Sequence, residues 1–201
     1  RYYLNRLDVS SPRNPTLHAP INVPGVLIGS DPQRGLIYTE DYQYSGQGYG
    51  FTRSVNVVAI SDTHATIRGR VDLPEDTGRL VVYGQRAWTV KNKWWYDEDT
   101  GAYRNEATLQ GIDLSDMFNP TLGHETKLPV PYASLYNVSD GHAIIGTWWY
   151  VSGLMVYNVQ NTTPKYEQHV QTQGWVSAIA KDGNDYYIAT GPYGVKKVTL
   201  D

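Results

Sequence analysis

This sequence lacks cysteine entirely, has only two phenylalanines and contains no long apolar run. The absence of cysteine excludes disulfides, thiolate catalysis and cysteine-based zinc sites. Because no apolar run approaches the roughly 18 residues that a membrane helix needs, we expect no membrane insertion. Lysine and arginine never cluster, and the net charge is −3 with a pI near 5.9. Nucleic acid is therefore excluded as an expected partner, since its binding surfaces are normally basic.

Helical periodicity is also missing. No window of about 11 residues sustains apolar side chains at the i, i+3, i+4 and i+7 positions. Short apolar runs bounded by Gly, Pro, Asn and Asp dominate instead, and this pattern is typical of many short strands. With 201 residues the chain is long enough to bury a substantial core. We therefore predict an all-β fold.

One stretch recurs along the chain. Its template is an apolar residue, two variable residues, an apolar residue, one variable residue, an apolar residue, and then a small or polar residue that starts a turn. The copies are Leu4 to Ser10, Val55 to Ser61, Leu109 to Ser115, Leu154 to Gln160 and Val195 to Asp201. A repeat of roughly 40 to 50 residues that contains four strands is typical of a β-propeller blade.

The template fits the third strand of a four-stranded antiparallel blade, counted from the propeller centre. On this scheme residues 1–201 form a single propeller domain or propeller segment with three complete blades and two partial ones. The complete blades span about 24–75, 76–130 and 131–173, and the partial blades span 1–23 and 174–201. Both partial blades contain a third strand, so they do not merge into one. This favours a segment of a larger propeller, with further blades of the same parent chain as neighbours. An imperfectly closed ring of four or five blades is the alternative.

The scheme also predicts local structure. Residues 2–9 and 16–23 are each predicted as one continuous strand. Residues 41–50, which are rich in Gly and Tyr, and residues 93–106 are predicted as loops between a second and a third strand.

The turn after the template resembles a known family in two copies. Residues 8–17 read DVSSPRNPTL and residues 113–122 read DLSDMFNPTL. Both are similar to the D-V-S-D-P-x-N-P-x-L signature of LVIVD-type β-propeller repeats. In such a turn Asp and Ser bond to the nearby backbone, and Pro ends strand pairing. The resemblance implies a secreted or envelope-associated bacterial protein, extracellular or periplasmic, whose propeller is a binding platform without catalytic residues.

Aromatic residues mark the candidate binding site. The chain has 17 Tyr and 6 Trp, residues that suit half-exposed surfaces. In a propeller every second-to-third connection emerges on one face, together with the connections between blades. We predict that aromatic residues there bind a protein or a glycan. The candidates are Tyr44, Tyr49, Trp94, Trp95, Tyr96, Trp148, Trp149, Tyr150 and Tyr193. The alternative is that each Trp pair packs between blades, with one indole inward and the other outward.

A calcium site is the only cofactor prediction. Asp97 and Asp99 are followed by Gly101, an arrangement that resembles part of a calcium loop. The third acidic position and the distal glutamate of an EF-hand are missing.

Catalytic motifs are absent from the sequence. It has no nucleophile elbow, no paired-histidine zinc motif and no phosphate-binding loop. The five histidines are dispersed, and only His142 is placed to face a central channel. We therefore predict a non-catalytic module. A propeller enzyme of the glycosidase or quinone-dependent dehydrogenase type, with its site at the central channel, is one alternative, and a structural spacer in a larger assembly is another.

Overall fold

A computed structural model of the chain describes residues 1–44, 51–147 and 153–199. These residues are mostly antiparallel strands, which confirms the all-β prediction. The strands are β1 (Tyr2–Leu4), β2 (Leu7–Asp8), β3 (Thr16–Leu17), β4 (Ile21–Val23), β5 (Val26–Asp31), β6 (Leu36–Tyr44), β7 (Phe51–Ile60), β8 (Ala65–Leu73), β9 (Thr77–Tyr83), β10 (Arg86–Asp97), β11 (Ala102–Asp113), β12 (Thr121–Lys127), β13 (Ser134–Ser139), β14 (His142–Thr147), β15 (Gly153–Asn158), β16 (Lys165–Gln171), β17 (Ala178–Asp182), β18 (Asp185–Ala189) and β19 (Val195–Thr199). No helix in the described ranges is long and apolar enough to cross a membrane.

Four-stranded sheets are the main structural unit. Their strand orders are β5-β6-β7-β8, β9-β10-β11-β12 and β13-β14-β15-β16, so each strand pairs with the next along the chain. The last sheet, β17-β18-β19, has three strands. The template stretches lie in β7, β11, β15 and β19, which is the third strand of each sheet, as the repeat predicts.

Residues 2–9 and 16–23 do not form the two continuous strands that were predicted. The structure breaks each of them, because β1 pairs with β4 while β2 pairs with β3. Pro20 lies at the break in the second strand. Proline has no backbone N–H to donate to a ladder, so pairing stops there and resumes at Ile21.

Both predicted loops are wrong in part. Strand β6 continues to Tyr44, and β10 and β11 extend through most of 93–106, leaving only residues 98–101 as a turn. Aromatic residues favour extended backbone, and both segments contain several, at Tyr42 and Tyr44 and at Trp94 to Tyr96. Residues 45–50 of the other predicted loop lie outside the described residues.

Strand pairing does not close a ring. In the described part of the chain no strand of residues 1–23 pairs with the last sheet, so no closed propeller is observed and the number of blades is not confirmed. Two compact units are distinguished. The first comprises 1–75, 84–86 and 112–122, and the second comprises 76–83, 87–111 and 123–201.

Each unit has its own apolar core. The core of the first unit contains Ile21, Val23, Ile37 and Val58, from the first hairpin and the first four-stranded sheet. In the second unit one cluster surrounds Trp88, and another joins the third four-stranded sheet to the last sheet. Strand β7 is buried on both faces from Ser54 to Val58, where Val55, Val57 and Val58 supply the apolar side chains.

Candidate aromatic binding surfaces

The hairpin of β10 and β11 carries one candidate surface. Strand β10 is buried from Ala87 to Lys91 and then continues outward as Trp94, Trp95 and Tyr96. These side chains are 55%, 39% and 53% exposed. Three large aromatic side chains of the hairpin therefore lie beyond the core and are accessible to solvent.

Four rings line one face of this hairpin. Side chains alternate along a strand, so Trp94 and Tyr96 share a face. The ring of Trp94 lies 6.3 Å from that of Tyr132, and the ring of Tyr96 lies 5.3 Å from that of Tyr103 in an edge-to-face arrangement. We call Trp94, Tyr96, Tyr103 and Tyr132 the aromatic row. Each ring of the row contacts another ring, so the row consists of two ring pairs.

Trp95 occupies the opposite face. The Nζ atom of Lys93 lies 6.0 Å from the centre of its indole ring, a cation–π contact. Both Trp94 and Trp95 are exposed, so the alternative with one indole packed inward is wrong for this pair.

Asp97 closes the turn of the hairpin. Its Oδ1 atom accepts hydrogen bonds from the backbone amides of Asp99 and Thr100 at 3.1 and 3.2 Å, and its Oδ2 atom accepts one from Arg104 at 3.1 Å. Gly101 follows with a φ of +64°, which glycine adopts readily. The hydrogen bonds from Thr100, followed by those from Arg104, lower the pKa of Asp97.

The carboxylate of Asp97 thus already has a structural role. Among the described residues no group of three or more His, Asp or Glu side chains is placed to hold a metal ion. A calcium ion at Asp97 and Asp99 stays a prediction from the sequence.

The hairpin of β6 and β7 carries a second aromatic surface, in the first unit. Tyr44 pairs with Phe51 across the two strands, and their ring centres are 6.4 Å apart. The ring of Phe51 also lies 6.0 Å from that of Tyr42. Tyr44 is 82% exposed. This hairpin repeats in another sheet what β10 and β11 show, namely exposed rings at the connection between the second and third strands.

A buried ion pair supports this second surface. The Nε atom of Arg53 donates to Oε1 of Glu40 at 2.8 Å, and both side chains are nearly buried. The guanidinium of Arg53 also lies 5.4 Å from the centre of the Tyr42 ring. Burial, together with the neighbouring Glu40 carboxylate, raises the pKa of Tyr42. The ion pair therefore fixes the first ring of the hairpin.

The last sheet adds Tyr193, which is 63% exposed. It lies in a short 3₁₀ turn, Gly191–Tyr193, between β18 and β19. A β-carbon at Gly174 would lie 2.8 Å from the ring of Tyr193, so glycine is needed for this close contact. Next to Gly174, Trp175 is 64% exposed, and its indole approaches Gly191.

Two residues of these surfaces were missed by the sequence analysis, Tyr132 and Trp175. Both lie in connections between consecutive sheets rather than between a second and a third strand. Tyr132 contacts Trp94, and Trp175 lies beside the turn that holds Tyr193. Their positions in the sequence could have identified both residues, because sheet-to-sheet connections are expected at the same end of a blade as the second-to-third connections. Of the remaining predicted residues, Tyr49, Trp148, Trp149 and Tyr150 lie outside the described residues.

His142 has a structural environment. Its Nε2 atom lies 3.2 Å from Oε2 of Glu167, and the other carboxylate oxygen accepts a hydrogen bond from Asn158 at 3.0 Å. The three residues come from β14, β15 and β16, so the cluster ties neighbouring strands together. Nothing in this geometry assigns a reaction to His142.

The family-like turns have the predicted hydrogen bonds. Oδ1 of Asp8 accepts from the amide of Ser10 at 2.8 Å, and Oδ1 of Asp113 accepts from the amide of Ser115 at 2.9 Å. In the second turn Oδ1 of Asp116 also accepts from the amides of Phe118 and Asn119. These bonds stabilise the carboxylate forms and lower the pKa of all three aspartates.

The lowered pKa values predict acid sensitivity. A carboxylate whose pKa is lower in the folded chain than in the unfolded chain stabilises the fold at every pH above its unfolded-state pKa of about 4. This stabilisation is lost as the pH falls from there through the folded-state pKa. We expect Tm to be steady from pH 7 to about 5 and to fall below about pH 4. Asp116→Asn should weaken this dependence, because an amide oxygen accepts the same bonds at every pH. Thermal melts of both proteins at pH 6 and pH 3 check this, and equal pH dependence would contradict it.

Comparison of the sequence with models of known protein families and with curated proteins gives no match.

Proposed function

We propose that this chain is a non-catalytic binding module, with its four-stranded sheets as blades of a β-propeller of the LVIVD-repeat type. The recurring third strand, the four-stranded antiparallel sheets and the Asp-x-Ser turns support this assignment. Such repeats occur in exported bacterial proteins, so the proposed location is extracellular or periplasmic. Fold alone does not give a function, and the binding role rests on the aromatic surfaces.

The observation that carries the binding role is the aromatic row. Its four rings come from a hairpin and from a connection between sheets, yet they contact one another in pairs. Trp94, Tyr96 and Tyr103 are exposed, and Tyr132 is half-buried. Exposed large aromatic side chains without a partner are unfavourable in water and are enriched where proteins bind other molecules. Tyrosine and tryptophan bind through a flat apolar face and a polar edge, which suits both a protein surface and the C–H face of a sugar.

The contacts within the ring pairs also restrict how freely each side chain of the row can move. Rings that are ordered before binding lose little conformational freedom when a partner arrives, so more of the contact energy appears as affinity. The tip of the hairpin carries acidic side chains at Asp97, Glu98 and Asp99. These residues argue against contact with an anionic surface and favour a neutral or basic partner.

The test compares the two exposed aromatic residues of strand β10 with an exposed aromatic residue in the turn after β11. Replacing Trp94 and Tyr96 together by alanine should weaken partner binding at least tenfold, because Trp and Tyr hot spots each contribute about 2 kcal/mol or more. The matched control is Phe118→Ala, since Phe118 is 59% exposed but lies in the turn at the other end of β11. Binding would be measured on a printed glycan array and, for proteins, by photo-crosslinking from a benzophenone amino acid placed at Tyr103.

Each outcome bears on the proposal. Loss of glycan or crosslinked-protein signal in the double variant, with Tm nearly unchanged and Phe118→Ala unaffected, supports it. A large loss of Tm with no binding defect would give the rings a structural role. Absence of any signal that depends on the aromatic row would leave the spacer role as the better account and refute the binding proposal.

A further inference from the structure

A separate pocket of about 650 Å³ lies in the second unit. It is lined by Lys127, Leu128, Pro129, Tyr157 and Tyr166. Its volume falls within the range of roughly 300 to 1,000 Å³ that is typical of small-molecule sites. Leucine, proline and two phenol rings make its walls largely apolar. The pocket shares no residue with the aromatic row.

Tyr157 is the unusual residue of this pocket. It is only 2% exposed and lies directly opposite Tyr166 on β16, with ring centres 5.4 Å apart in an edge-to-face arrangement. The same position of the template holds Val58 in β7 and Val198 in β19. A purely structural role would be met by an aliphatic side chain there, so the phenol adds a hydroxyl that the repeat does not require.

The hydroxyl groups of Tyr157 and Tyr166 have no hydrogen bonds to residues in the described ranges. Burial raises the pKa of Tyr157, so its hydroxyl stays protonated at neutral pH and can donate a hydrogen bond. The pocket therefore offers tyrosine hydroxyl donors that have no acceptor among the described residues.

Lys127 adds a positive charge. Its Nζ atom donates a hydrogen bond to a carboxylate oxygen of Glu106. An ammonium group has three donors, so the contact with Glu106 leaves capacity for a second acceptor. The polar groups that line the pocket are thus one cation and two hydroxyl donors, and the matching ligand group is rich in acceptors and negatively charged.

We propose that this pocket binds a small carboxylic acid with an apolar ring. The ring packs against Leu128, Pro129 and the phenol rings, while the carboxylate accepts hydrogen bonds from Lys127 and a tyrosine hydroxyl. This site is independent of the aromatic row, and neither proposal depends on the other.

The experiment titrates the whole chain with sodium phenylacetate and follows its amide chemical shifts by NMR. Phenylacetamide tests the need for charge, and sodium acetate tests the need for the ring. A ligand of this size should bind with a Kd on the order of 1 mM, given the usual affinity per ligand atom. Both comparison compounds should bind about tenfold more weakly, because each lacks one of the two groups that the pocket recognises.

Three variants locate the binding. Tyr157→Phe keeps the ring and the fold but removes the hydroxyl, and should weaken phenylacetate binding about fivefold. Lys127→Met should weaken it about tenfold, since a charge-assisted bond is lost. Lys165→Met is the matched control, because Lys165 is an exposed lysine on β16 that does not line the pocket. An absence of saturable binding, or binding that neither Tyr157→Phe nor Lys127→Met changes, would overturn the proposal.

Discussion

Replacing Trp88 by alanine is expected to destabilise the protein by about 4 kcal/mol, within the range of about 3 to 5 kcal/mol seen for buried tryptophan and phenylalanine. Trp88 is 1% exposed and belongs to the main cluster of the second unit, with Val90 and Leu109. Its indole lies against Gly111 of the neighbouring strand, where a β-carbon would come within 3.0 Å of the ring. Gly111 leaves space for the indole because it has no side chain of its own. It therefore has no side chain that could move into the cavity left by alanine.

The measurement is denaturant unfolding of the wild-type chain and two variants. Trp94→Ala is the matched control, because it removes the same side chain from the same strand at a position that is 55% exposed. Trp94→Ala should lower the free energy of unfolding by about 1 kcal/mol or less, because the side chain buries little apolar surface. Equal costs for the two variants would show that the indole of Trp94 is also structural, and would weaken the case for the aromatic row.

The contrast between these two tryptophans shows what sequence alone could not decide. Trp88 and Trp94 lie six positions apart on one strand and would face the same side of a flat sheet. Strand β10 extends beyond the edge of its core, however, so the same face is buried at one end and exposed at the other. The length of a strand beyond its core depends on neighbouring sheets, which the local pattern of apolar residues does not contain.

The repeat was informative about topology because it rests on spacing. The template anchors identified the third strand in every sheet from Val55 onward, and the Asp-x-Ser turns formed the predicted bonds. It was less informative about strand ends. The predicted loop at 93–106 is a long hairpin, because cross-strand contacts such as that between Tyr96 and Tyr103 stabilise extended backbone that composition alone marks as a loop.

The candidate surfaces were predicted in part for the same reason. The residues between second and third strands could be found from the register, and Trp94, Trp95 and Tyr96 are exposed as a surface requires. Tyr132 is distant from them in sequence and joins them only through tertiary contact with Trp94. The pocket at Tyr157 could not be found from the sequence, although a tyrosine is unusual at this position of the template, because the residues of its walls come from separate sheets and meet only in three dimensions.

Arg53→Met is expected to destabilise the protein by about 3 kcal/mol, because it leaves the carboxylate of Glu40 buried without its partner. The side chains of Arg53 and Glu40 are 11% and 12% exposed, and the Nε atom of Arg53 donates to the carboxylate at 2.8 Å. The cost of the unpaired charge exceeds the value of the pair itself, since desolvation of the carboxylate is no longer offset. The change also removes the cation beside Tyr42 and so loosens the aromatic surface of β6 and β7.

A double-mutant cycle separates these effects. The variant with both Glu40→Met and Arg53→Met should be more stable than Arg53→Met alone, because two apolar side chains fill the site and no charge stays buried. Denaturant unfolding of the wild type, both single variants and the double variant gives the coupling energy, which we expect to be about 2 kcal/mol or more in favour of the intact pair. Additive costs would mean that water reaches Glu40 and that the β6–β7 hairpin does not depend on the ion pair. In that case the aromatic rings of this hairpin would be held by Phe51 alone, and Phe51→Ala, rather than Arg53→Met, would disorder Tyr42 and Tyr44.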